Sequence, residues 1–191
     1  MFSFNASDYG RFVSSLIDLN RLCELGPGQP DTAVRSTLSQ MTVESLFGDQ
    51  PITNRDMARC CLSGIWLWHD FLDESHELSQ TVGSSTGSYW HGIMHRRESD
   101  YPNSKYWFNR VGEHPIFVDL LHTANQLARE ASTSDAAASF LLSQNEWDPF
   151  RFVDLCEQVS GSGSDTELLC RRIAQAEWAI LFDYCYRAAI Q

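Results

Sequence analysis

The chain has 191 residues, 43% hydrophobic, 20% charged and 12% aromatic, a composition that excludes a wholly disordered polymer and suits one globular domain burying roughly 70% of its unfolded surface. The formal net charge of −11 argues against a general nucleic-acid surface, because phosphate binding needs a basic footprint. The longest conspicuously apolar run, Cys60–Trp68, is about half the length a membrane-spanning helix requires.

Met1–Gly10 lacks a basic segment followed by an apolar core, so no signal peptide is expected. From Asp8 to Leu25, Phe12, Leu16, Leu19 and Cys23 repeat at helical spacing before Gly26-Pro27 supplies a stop. Asp31 can cap a helix through about Met41, followed by a short helical turn ending near Gly48. Thr53 or Asn54 can then cap a long central helix, about 54–79, with Asp56 in its first turn. Its middle, C-C-L-S-G-I-W-L-W, is apolar all round, as in a helix buried at the centre of a domain.

Past a Ser/Thr/Gly loop, Thr81–Gly87, a short helix is predicted over Ser88–Glu98, broken by D-Y-P-N-S (Asp100–Ser104). Lys105–Val111 makes a further short helix ended by Gly112, and Pro115 opens another to about Ala131. Ala136–Gln144 reads as helical, and Asp148-Pro149 starts Pro149–Val159. Residues 160–164 form a flexible Gly/Ser joint, and S-D-T-E (Ser164–Glu167) matches a capping box for the last helix, whose stripe is Leu169, Ile173, Ala176, Ile180 and Tyr184. No stretch alternates with period 2. The expected fold is therefore all-α, a single-domain bundle over 1–191 of about seven or eight helices around the central one.

Trp68–Pro115 holds five of the six histidines and three of the six tryptophans. On one predicted face His91, His95 and Glu98 follow i, i+4, i+7 together with Ser88. Two imidazoles and a carboxylate can grip a divalent transition metal from one side. On the long helix His69, Asp73 and His76 share a face that continues an apolar stripe, and any of them could complete the sphere from an antiparallel neighbour. The candidate metal ligands are thus His69, His91, His95 and Glu98.

Two readings stand beside the metal. In a metal-free pocket, His76 or His95, positioned by Asp73 or Glu98, moves a proton while Arg96, Arg97 or Lys105 holds an anion. Trp66, Trp90 and Tyr106 would supply its flat walls. In a structural network, the same groups simply pair with one another between buried helices. The basic island Arg96–Arg110 in an acidic chain favours a small polar or anionic molecule as ligand.

With no P-loop, no G-x-G-x-x-G and no G-x-S-x-G, a nucleotide cofactor or a serine nucleophile is not expected. The six cysteines lie in predicted helices without a C-x-x-C pair, as reduced thiols of a cytoplasmic protein would. W-H-D-F-L-D-E-S-H (Trp68–His76), Y-W-H-G-I-M-H-R-R-E (Tyr89–Glu98) and N-S-K-Y-W-F-N-R-V-G-E-H-P (Asn103–Pro115) resemble strings from a family of conserved but uncharacterised soluble proteins. The resemblance spans Trp66–Phe117 and, more weakly, Trp147–Glu157; it implies no activity and no residue roles. The expectation is an enzyme acting on a small polar or anionic molecule, metal-assisted or using histidine acid–base chemistry. The alternatives are a non-catalytic module binding a small ligand or protein segment, and a structural network; oligomeric state is not legible.

Overall fold

A computed structural model describes residues 3–131 and 135–191. It is all-helical, with eleven α-helices and no strand among the described residues. They are α1 (Gly10–Leu16), α2 (Arg35–Ser39), α3 (Val43–Phe47), α4 (Arg55–Trp68), α5 (Leu72–Ser79), α6 (Ser85–Arg97), α7 (Tyr101–Val111), α8 (Phe117–Glu130), α9 (Phe140–Ser143), α10 (Pro149–Val159) and α11 (Asp165–Ile190). Among the described residues, no helix is long and apolar enough to cross a membrane.

Most starts are set by local capping chemistry. The side chains of Asn54, Asp148 and Ser164 accept from Met57, Arg151 and Glu167 N–H groups at 3.2, 3.1 and 3.1 Å, satisfying donors a helix start leaves free. Thr42 and Ser45 form a reciprocal capping box on α3. At 160–164, Glu167 does not close such a box. Its carboxylate instead accepts from the Gly161 and Gly163 N–H groups at 3.1 and 2.6 Å.

The expected helix Asp8–Leu25 stops at Leu16. Carbonyls beyond it are taken by α11: Gln175 donates to Leu19 and Arg21, and Arg171 to Leu22 and Cys23. Those tertiary bonds replace helical ones, so Ile17 turns extended and the segment runs along α11.

The expected central helix 54–79 is two helices. α4 ends at Trp68, and Asp70 takes a left-handed φ of 63°. Phe71 N–H bonds to Trp66 O and Asp70 N–H to Leu67 O, both at 3.1 Å, the pattern of a Schellman motif with aspartate where glycine is usual. The strain is offset by the buried Asp70 carboxylate, which accepts from Arg21 and Arg97 at 2.5 Å each and from Gln29 N–H at 3.3 Å. Gly28, at φ 70°, lets this loop approach, since a Cβ there would lie 2.6 Å from that carboxylate.

A second motif of the same kind ends α6, with Ser99 at φ 64°, Ser99 N–H on Arg96 O and Asp100 N–H on His95 O. Asp100–Ser104, expected to break a helix, therefore forms the N-cap and first turn of α7. Asp100 accepts from Asn103 N–H, and Pro102 sits where its missing N–H costs nothing. The Asp70 break and the one-turn helices α2, α3 and α9 raise the count above the seven or eight expected.

One contiguous core joins the helices, with α4, α6 and α11 at its centre. Trp178 of α11 donates to Gly64 O at 2.8 Å, and a Cβ on Gly64 would lie 2.7 Å from the Trp90 ring of α6. Trp90 in turn donates to Cys185 Sγ at 3.3 Å. All six cysteines are free, and five are buried. α6 and α7 form a tight antiparallel pair, in which Gly92 makes room for Phe108 and accepts from the Ser104 hydroxyl at 2.7 Å.

Candidate metal centre

Three histidines converge where α5 crosses α6: His76, His91 and His95. Each offers one ring nitrogen, and the three nitrogens lie within 4.8 Å of one another. A tetrahedral ion with bonds of about 2.1 Å holds such atoms about 3.4 Å apart, so binding would draw the rings inward. His91 and His95 are buried and sit one turn apart on α6, while half-buried His76 reaches them from α5. The helix break at Asp70 is what gives α5 its own direction, and His76 its place.

Burial holds His91 well below the usual histidine range, at about 3, helped by repulsion from His95 and His76. It is therefore a neutral imidazole, the form that binds metals. Its Nδ1 is buried without a hydrogen-bond partner, and its ring is stacked on Trp107 of α7, centroids 3.9 Å apart. Burial also lowers His95, against the pull of Glu98.

His95 Nδ1 lies 2.9 Å from Glu98 Oε2 and its Nε2 lies 3.1 Å from the Asn103 amide. A carboxylate accepting the Nδ1 proton leaves the Nε2 lone pair available, and carboxylate–histidine pairs of this kind orient metal ligands. Glu98 thus stands behind the ring.

Of the three groups offered from the preceding helix, His76 is the one brought to this cluster. His69 lies elsewhere, buried with Nδ1 3.6 Å from Asp31 and its carbonyl accepting from Asp31 N–H. Asp73 is exposed in the first turn of α5. A shared face for His69, Asp73 and His76 requires one continuous helix, and the turn at Asp70 breaks it.

The cations are paired away from the histidines. Arg96 is buried against Glu177, which also accepts from the Tyr89 hydroxyl at 3.1 Å. Burial pulls the Arg96 guanidinium down, but Glu177 more than compensates and holds it raised. Arg97 is held by Asp70 and the Gly26 carbonyl, and Lys105 pairs with Asp154. Trp90 is core, Trp66 packs edge-on against Phe71, and Tyr106 is exposed beside Trp107.

Asn103 escapes a sequence reading that puts a loop there. Glu177 left a signal, a carboxylate set between Ile173 and Ile180 on the apolar stripe of α11. No protein-family model matches the chain, and neither the curated proteins nor the solved structures contain a match.

Proposed function

We propose that this protein holds a divalent transition metal on His76, His91 and His95 and uses it to activate water against a small polar or anionic molecule. The observation that carries the reading is the convergence of three imidazoles from two helices, one held neutral by burial with an unpartnered nitrogen. His76, His91 and His95 would hold such an ion and leave room for water beside it, and the ion would supply the acidity that activates that water near neutral pH. Glu98 would fix His95, and Asn103 would release the ring nitrogen it now faces.

The test is metal analysis of tag-free protein, as purified and after reconstitution with zinc. The expected result is about one ion per chain, bound tightly enough to raise the thermal midpoint, and lost in His91→Ala and His95→Ala. Protein that neither carries nor takes up zinc or a neighbouring transition metal sinks the proposal. The bonds of His95 to Glu98 and Asn103 favour a second reading, a structural polar network that holds α6 to α7; there added zinc leaves the midpoint unmoved.

A further inference from the structure

A second concave site lies away from the histidines. It is an open groove of about 870 Å³ between the end of α7, the start of α8 and the segment joining α9 to α10, at the upper end of small-molecule sites. Its walls include Phe117, Val118, Leu121, Trp147 and Phe150, flat rings and aliphatic groups with Val118 65% exposed.

Two lining residues carry buried polar atoms without partners. Both ends of the Gln144 amide, Nε2 and Oε1, and the Trp147 indole N–H are shut from solvent and make no hydrogen bond. Trp147 is only 5% exposed. Leaving such groups unpaired is costly, and whatever pairs them is rewarded. The unmet set is two kinds of donor and one acceptor, which an amide answers and a hydrocarbon does not. Glu113, Glu146 and Asp148 line the same groove against Arg151, which is drawn over the Phe140 ring. The carboxylates disfavour an anion.

We infer that this groove binds a neutral or cationic flat ring bearing a carboxamide or lactam, with Gln144 donating to its carbonyl and accepting from its N–H. The Trp147 N–H supplies the second donor. Entry requires the Gln144 side chain to swing outward, a cost the recovered hydrogen bonds exceed. The site is separate from the histidine cluster and stands or falls independently of it.

The probe is 2-naphthamide, with 2-naphthoate as its anionic isostere, titrated into full-length protein and followed by amide chemical shifts and calorimetry. Saturable 2-naphthamide binding is expected, with shifts at Val118, Leu121 and Gln144–Phe150 and a preference of about tenfold over 2-naphthoate. Gln144→Leu removes an unpaired group, so it should fold normally and reduce the preference to what the groove's carboxylates alone supply; Val118→Arg, at an exposed wall, should block both probes. Absence of saturable binding, equal affinity for 2-naphthoate, or a preference unchanged by Gln144→Leu overturns the inference.

Discussion

The ring of Trp107 lies flat on His91, with planes 19° apart and centroids separated by 3.9 Å. The indole packs against the imidazole without using either nitrogen, so it holds the ring in place and shields it from water. Because Trp107 is only half-buried, Trp107→Ala should leave the fold standing yet weaken zinc affinity about tenfold, measured by competition with a chromophoric chelator. Unchanged affinity would show that the stacking has no part in metal binding.

Glu98→Gln tests the carboxylate behind His95. The substitution keeps a hydrogen-bond acceptor 2.9 Å from Nδ1 but removes the charge that favours a proton there and basicity at Nε2. Zinc affinity should fall roughly 10–100-fold. Glu98 is solvent-accessible, so stability without metal should hardly change. Were affinity unaffected while stability dropped, the pair would be structural.

The Arg96–Glu177 pair calls for a different comparison. Both side chains are essentially inaccessible, and the Arg96 guanidinium also lies over the Phe152 ring. Glu177→Leu leaves a buried cation alone and should cost about 3–5 kcal/mol in urea unfolding, whereas the double change Arg96→Met with Glu177→Leu should recover most of that loss. A double variant as unstable as the single one would mean that shape, not charge, governs the site.

Much of the helical order is legible because caps are local. Asn54, Asp148 and Ser164 are followed by helices in any reading of the chain. The pairing of His91 with His95 is legible for the same reason, as neighbours one turn apart. The break at Asp70 is not, because it places a residue other than glycine in the left-handed region, whereas the end of α6 is read to within a residue. Asp70 is held there by Arg21 and Arg97 from distant parts of the chain. With that break hidden, His69 and His76 fall on one predicted face. The fate of the cations is equally non-local: Arg96, Arg97 and Lys105 look free in sequence, yet meet Glu177, Asp70 and Asp154 only once the helices pack.

His114 gives a pH test away from the metal centre. It is buried among the rings of Tyr89, Phe117 and Tyr184 with Nε2 3.1 Å from the Thr86 hydroxyl. Desolvation lowers it from 6.5 to about 4. As pH falls below 6.5 the unfolded chain takes up a proton at this residue while the folded one does not until near 4, so stability is lost across that window and levels off below it. By pH 5 the loss amounts to about 2 kcal/mol, since each tenfold difference in proton affinity between the two states is worth roughly 1.4 kcal/mol. His114→Gln, which retains an amide toward Thr86, should lower stability at pH 7.5 but flatten its decline between pH 7.5 and 5 by about that amount. Chemical unfolding at the two pH values, wild type against variant, reads the difference directly. An equally steep decline in the variant would assign the acid sensitivity to the other histidines.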